Sequence, residues 1–245
     1  MLLLMVRAGR EISTFEGLER YDGNHHVPSL EGGGPQGSEL PGAHNVKQIS
    51  LIMTIFLMRH GETEWNVAGR KQGRGNSPLT ENGRNQALEC GWLINAQCTN
   101  IKRIFVSPLG RAQETCALVC SVLRQQPENI DTIEALAELN YGAWQGLTDE
   151  EIDTKYPGER SKRKTMHWEY VIPGGESYAK VERRISMWVN HEEIEGSLII
   201  GHAMVNRVIL GIYQSLKTSE TLTLKHPHRQ VYKLCAGSAS VLVSD

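Results

Sequence analysis

Arg59-His60-Gly61-Glu62-Thr63 follows the apolar run Met53 to Met58 and precedes Trp65 and Asn66. That run predicts a strand, and α/β proteins place ligands at the carboxyl ends of strands, so the Arg and His side chains are expected to emerge into a site. The two residue types together suit phosphate. Imidazole supplies a nitrogen nucleophile near neutral pH, and guanidinium supplies a planar fork of N–H donors for oxyanions. Three later segments carry further groups of this kind: Ser107-Pro108-Leu109-Gly110-Arg111-Ala112-Gln113-Glu114-Thr115, Glu138-Leu139-Asn140-Tyr141-Gly142, and Ile200-Gly201-His202-Ala203. Phosphoryl transfer passes through a loose transition state with charge spread over the oxygens, so such a site needs several donors around one nucleophile.

In order, these four blocks resemble the histidine phosphatase superfamily, which includes phosphoglycerate mutases and fructose-2,6-bisphosphatase. The resemblance runs from about Met53 to the C-terminus. It implies that His60 is the nucleophile, forming a phosphohistidine that water then hydrolyses. Arg59 and Arg111 would clamp phosphate oxygens with geometry that Lys cannot reproduce, and their charge would help keep His60 unprotonated. His202 looks like the second site histidine, donating a hydrogen bond to a phosphoryl oxygen from a helix start that also favours anions. Glu138 would protonate the leaving alkoxide, its pKa raised by nearby phosphate oxygens, with Glu134 as a neighbouring alternative. Asn66, Gln72, Gly73 and Ala203 are expected to touch substrate. No cofactor and no metal ion are expected, since arginine and histidine neutralise the charge and no Cys/His cluster has ligand spacing.

The elements that must hold these groups follow from periodicity and caps. Thr80 is a predicted N-cap for a helix with Ala87, Leu88, Gly91 and Trp92 on its inner side. Ile104 to Val106 predicts a strand. Ser107 is expected to cap the next helix with Pro108 at its first position, and Ala112, Cys116, Val119 and Leu123 recur at helical spacing. Thr148 and Glu151 form a capping-box pattern. Val181, Ile185, Trp188 and Val189 mark an amphipathic helix. Leu198 to Ile200 predicts a buried strand, followed by a helix bearing Val205, Val208, Ile209, Ile212 and Leu216. Val231 to Leu234 and Ser240 to Val243 predict two more strands. This alternation implies an α/β fold, a three-layer sandwich with a mostly parallel central sheet and helices on both faces, as the resemblance also implies.

The chain has 245 residues, a formal net charge of -2 and five cysteines. Its length and the span of the motifs favour one catalytic domain over residues 53–245. Near-neutral charge carries no global signature for nucleic acid or membrane, so a small phosphorylated metabolite is the expected partner; oligomeric state stays open. The odd, unpaired cysteines suit a reducing compartment, and a cytoplasmic location is expected. Cys116 and Cys120 are expected to serve core packing. Met1 to Val6 is too short to span a bilayer, and no signal peptide is assigned. Residues 1–52, rich in Gly, Pro, Ser, Asn and Glu, are expected to be a largely disordered extension or a misassigned translation start, with His25 and His26 solvated.

The superfamily divides into mutases, which return the phosphoryl group to a hydroxyl, and phosphatases, which give it to water. Mutases carry a longer insertion after the acid segment and a Gly-Asn pair after the second histidine. Here the insertion is short and Ala203-Met204 follows His202. Pro173-Gly174-Gly175-Glu176-Ser177-Tyr178 and Leu224-Lys225-His226-Pro227 look closer to fructose-2,6-bisphosphatase and broad-specificity phosphatases. Hydrolysis is therefore expected, with a mutase as the first alternative and a catalytically silent phosphate-binding module as the second. No kinase-like segment precedes the motifs, so a monofunctional sugar-phosphate phosphatase is expected. Arg74 and Asn76 depart from the Trp and Asp common in the opening loop. Lys162, Arg163 and Lys164 lie in the segment that, by resemblance, covers the site, where they contact a second phosphate or carboxylate or form a solvated face. Arg183, Arg184, His226 and His228 have no assigned role.

Overall fold

Strand β1 (Ile55–Arg59) opens the computed structural model, which describes residues 54–97, 101–124 and 126–242. The extension expected over residues 1–52 lies outside the described residues, as do its two histidines. After β1 come α1 (Glu64–Val67), α2 (Glu81–Ala96), β2 (Arg103–Val106), α3 (Gly110–Val122) and β3 (Asn129–Thr132). Then follow α4 (Asp149–Lys155), α5 (Glu159–Met166), α6 (Tyr178–His191), β4 (Ser197–Gly201), α7 (Ala203–Tyr213), α8 (Thr218–Thr221), β5 (Val231–Cys235) and β6 (Ser238–Leu242). The six-stranded sheet has the order β3-β2-β4-β1-β5-β6. Pairings β3/β2, β2/β4 and β4/β1 are parallel, whereas β5 and β6 add an antiparallel edge beside β1.

Alternation along the central strands explains the three layers, because successive side chains leave opposite faces of a sheet. Ile55, Leu57, Phe105 and Ile199 join one core with Val181, Ile185 and Trp188 of α6 and Val205, Val208 and Ile209 of α7. Phe56, Met58, Ile104, Val106, Leu198 and Ile200 join the other, with Cys90 and Ile94 of α2 and Ala112, Cys116 and Val119 of α3. Both faces are thus covered, which suits strands whose residues are apolar throughout rather than alternating.

The register brings the carboxyl ends of β1, β2 and β4 to one edge, with Arg59 opposite Gly201 and Val106 opposite Ile200. A close backbone approach fixes the loop after β1 against the start of α2. A Cβ on Gly83 would stand 2.0 Å from the Glu62 carbonyl oxygen, and one on Gly61 2.1 Å from that of Gly83. Only glycine fits at either position.

Several local expectations need correction. α3 is capped by Leu109, without a side-chain hydrogen bond, and begins at Gly110. Ser107 is not its N-cap, because its hydroxyl turns instead to the ring of His202. The buried stripe of α2 is Gly83, Gln86, Ala87, Cys90, Gly91 and Ile94, while Trp92 is exposed. α7 ends at Tyr213, so Leu216 lies beyond it. Edge strand β3 was not foreseen, since Asn129 to Thr132 is mostly exposed and carries no apolar pattern. The caps at Thr80 and Thr148 form as expected, the latter with Glu151 closing its box. Among the described residues no helix is long and apolar enough to cross a membrane.

Candidate active site

His60 follows the last residue of β1 and is 2% exposed. Its backbone N–H donates to the Gly201 carbonyl (3.1 Å), tying it to the end of β4. The ring is fixed at both nitrogens. Nδ1 faces the Gly61 carbonyl oxygen at 2.7 Å, and Nε2 receives the Nε–H of Arg111 at 3.2 Å. A carbonyl only accepts and a guanidinium only donates, so the proton resides on Nδ1 and the Nε2 lone pair is free of one. Burial first, then the nearby His202, Arg111, Arg59 and His228, holds the His60 pKa well below the usual histidine value. The ring is therefore neutral.

Arg111 sits in the first turn of α3, buried, where a helix N-terminus disfavours a cation. Three carbonyl and ring acceptors compensate. Its Nη1 donates to the Gly75 carbonyl (2.7 Å), Nη2 to that of Gly73 (2.8 Å), and Nε to His60. Desolvation lowers its pKa to about 10, which leaves it charged at neutral pH. Its own backbone N–H donates to Asn76 Oδ1 (3.0 Å), so the residue that departs from the common Asp pins the start of α3. Arg59 donates Nη1 to the His226 carbonyl (3.4 Å), and its Nε is buried without a protein partner.

His202 is fully buried at the N-cap position of α7, with its ring centroid 5.0 Å from that of His60. Its Nε2 lies 2.6 Å from Ser107 Oγ, which already accepts the Leu109 N–H. Ser107 can then give its hydroxyl proton to Nε2, leaving Nδ1 as the protonated nitrogen. That Nδ1 is buried and unpartnered.

Glu138 follows the 3₁₀ turn Glu134–Leu136 and is 7% exposed. Oε1 accepts from Leu139 N (2.8 Å) and Oε2 from Met204 N (3.3 Å), so the first turn of α7 orients the carboxyl group. Glu134 is exposed and does not line the cavity. Arg184 on α6 braces the segment before Glu138 by donating to the carbonyls of Ala135 and Ala137, the latter at 2.7 Å. Glu176 completes the brace, pairing with Arg184 (3.3 Å) and accepting from Asn140 N (2.9 Å).

A cavity of about 240 Å³ opens over these groups, lined by Arg59, His60, Arg111, Glu138 and, further out, Asn66, Arg70, Lys71, Gln72, Gly73 and Ala203. Eight of the nine residues expected at the site line it; His202 does not, its buried ring standing against that of His60. Asn66 closes a capping box with Thr63, its Oδ1 accepting from Thr63 N (3.1 Å). Gln72 donates Nε2 to Thr63 Oγ1 (2.6 Å). Gly73 has φ +53°, and a Cβ there would meet Tyr141 N at 2.8 Å, so glycine lets the loop present its carbonyl to Arg111. Four cations line it against one carboxylate; Arg70 and Lys71 are paired with Glu151 and Asp149, which leaves Arg59 and Arg111 as the cations without a carboxylate partner in an ion pair among the described residues. Among the described residues no group of three His, Cys, Asp or Glu side chains converges to hold a metal ion.

A second cavity of about 190 Å³ shares Lys71 with the first and is also lined by Trp144, Asp149, Arg160, Arg163, Lys164 and His167. Asp149 pairs with Lys71 and Arg160, each at 2.8 Å. The basic cluster therefore divides: Lys162 is exposed and paired with Glu159 (2.6 Å), whereas Arg163 stands over the Tyr141 ring at 5.2 Å, turned inward. Sequence reasoning left Arg184, His226 and His228 unassigned, and it missed Asn206 and the contact of Ser107 with His202. No local pattern marks these residues, because each acts through a partner far along the chain.

Residues 55–241 match the histidine phosphatase superfamily, branch 1. Over 186 residues the chain is 31% identical to the 6-phosphofructo-2-kinase/fructose-2,6-bisphosphatase of Caenorhabditis elegans, an overlap that covers 75% of this chain and 39% of that protein. Over 123 residues it is 37% identical to 2,3-bisphosphoglycerate-dependent phosphoglycerate mutase 2 of Gloeobacter violaceus, covering 50% of this chain and 55% of that one. The chain thus spans less than two thirds of the length of either relative. The alpha-ribazole phosphatase structure from Shigella flexneri superposes with a TM-score of 0.64 at 25% identity, covering 78% of this chain and 96% of that one.

Proposed function

The chain belongs to the histidine phosphatase superfamily, branch 1, and from that membership we propose that it is a metal-independent phosphomonoesterase acting on a small phosphorylated metabolite, with residues 53–245 as its catalytic unit. The observation that carries the reading is the paired ring of His60, whose proton sits on Nδ1 and whose Nε2 lone pair meets the Arg111 guanidinium. Nε2 attacks phosphorus, the bond to the leaving oxygen breaks, and Glu138 gives that oxygen its proton. Water then attacks the phosphohistidine and returns a proton to Glu138, and Nε2 regains its lone pair. Arg59, Arg111 and His202 stabilise the charge on the transferring oxygens. Asn66, Gln72, Gly73 and Ala203 border the bound group.

The adjoining cavity around Arg163 supports a substrate with a second anionic group, phosphate or carboxylate, bridged to the first site by Lys71. Hydrolysis rather than mutase chemistry is favoured by the short insertion and by Ala203-Met204 at the head of α7.

The test is phosphate release from sugar phosphates, phosphoglycerates, nucleotides and p-nitrophenyl phosphate, with chelator present and His60→Ala alongside. Release that vanishes in the variant supports the reading. Release that needs a divalent metal contradicts metal independence. Transfer to a second hydroxyl without release identifies a mutase, and anion binding without any phosphoenzyme identifies a silent module.

A further inference from the structure

The loop between α8 and β5 reaches the proposed nucleophile without lining the cavity. His228 is the residue that touches His60. Its Nδ1 stands 2.7 Å from the carbonyl oxygen of His60, and because a carbonyl only accepts, the Nδ1–H is the donor. The two rings meet edge to face with centroids 5.5 Å apart. With the His60 N–H already bonded to Gly201, the peptide groups on both sides of the nucleophile are thereby held.

The loop itself is pinned so that this contact can bear on the strand end. Asn206 of α7 donates Nδ2 both to the Met58 carbonyl (2.9 Å) and to His226 Nδ1 (2.7 Å), while Arg59 donates to the His226 carbonyl. Cys90 Sγ donates to the His228 carbonyl at 3.6 Å, and Arg229 pairs with Glu89 at 3.3 Å. Residues Met58 to His60 are therefore gripped by α7 and by this loop as well as by β4.

We infer that His228 is a positioning residue for catalysis: through the His60 carbonyl and the ring edge it holds the Nε2 of His60 in line for attack. The inference rests on the reading of His60 as nucleophile. His228 does not line the cavity, so substrate affinity should be independent of it. Burial and the charge of Arg59 lower its pKa to about 4, so near neutrality the ring is neutral and keeps the single Nδ1 proton the contact needs. The geometric argument is that in-line attack tolerates little displacement, and a shift of an ångström can cost orders of magnitude in rate.

The experiment is quench-flow with p-nitrophenyl phosphate, trapping the alkali-stable, acid-labile phosphoenzyme in wild type, His228→Leu and His228→Asn. Leu keeps apolar volume without a donor, and the Asn amide places an N–H close to that of Nδ1. Expected for His228→Leu is a phosphorylation rate lower by about tenfold, with full phosphoenzyme stoichiometry and an unchanged substrate concentration for half-maximal burst rate, and His228→Asn should restore most of the rate. Stoichiometry counts only folded, competent molecules, so lost activity explained by lost stoichiometry at an undiminished rate overturns the inference. It is equally overturned by a wild-type rate in His228→Leu, or by His228→Asn being as slow as His228→Leu. A wild type that forms no phosphoenzyme overturns the His60 reading itself, and this inference with it.

Discussion

Arg111 Nε lies 3.2 Å from His60 Nε2, donating to the lone pair that would attack phosphorus. This contact does two things at once. It excludes a proton from Nε2, and in the proposed reaction it would place a cation beside the transferring oxygens. In the reacting complex the same N–H can turn from ring to phosphoryl oxygen without any residue moving into the site.

Because burial and the surrounding positive groups hold the His60 pKa well below 6.5, the proposed nucleophile stays unprotonated as pH falls through that value. kcat/KM for p-nitrophenyl phosphate is expected to show no acid limb centred near 6.5. A limb at that position, absent from a variant that titrates elsewhere, would falsify the assignment of His60 as a neutral nucleophile.

Arg111→Lys retains a charge but not the fork that reaches Gly73, Gly75 and His60 together. Turnover is expected to fall roughly 100- to 1000-fold. Thermal stability should fall as well, since two backbone carbonyls lose their donors. Near wild-type turnover in the lysine variant would show that a point charge suffices.

Glu138→Gln preserves shape and removes the transferable proton. For an alkyl phosphate, whose alkoxide needs that proton, the loss is expected to be roughly 100- to 10,000-fold. For p-nitrophenyl phosphate, whose leaving group departs unaided, it should be far smaller. Equal losses on both substrates would assign Glu138 a role other than proton donor.

Arg163→Ala tests the adjoining cavity. KM for a substrate with a second anionic group is expected to rise by about tenfold, while KM for p-nitrophenyl phosphate stays unchanged. A rise on both would move Arg163 from substrate recognition to packing against Tyr141.

Stability should depend on pH through the buried histidines. His226 and His228 have folded-state pKa values lowered from 6.5 to about 3 and about 4, mainly by burial. Between those values and 6.5 the unfolded chain binds more protons than the folded one. Their contribution is therefore complete above 6.5 and is lost as pH falls toward 4 and below, with a slope of about 1.4 kcal/mol per pH unit for each group. Urea unfolding across that window, comparing wild type with His228→Asn, checks this. An identical slope in the variant would remove His228 from the account.

The sequence by itself determined the strands that lead to Arg59 and Gly201, the caps at Thr80 and Thr148 and the three-layer class, while the site residues were legible through the resemblance of the four blocks to a known family. The strands and caps are local matters. Apolar runs set strands, a cap hydroxyl sits three residues from the N–H it accepts, and strand ends project their next residues into the same edge. The tertiary structure alone decided what holds them. Ser107 serves the ring of His202 rather than its own helix because β2 and β4 are neighbours in the sheet. Arg184 braces Glu138, and His228 meets the His60 carbonyl across 168 residues of chain. Such contacts leave no periodic trace, since the donor and the group it satisfies are brought together only when the sheet order is complete.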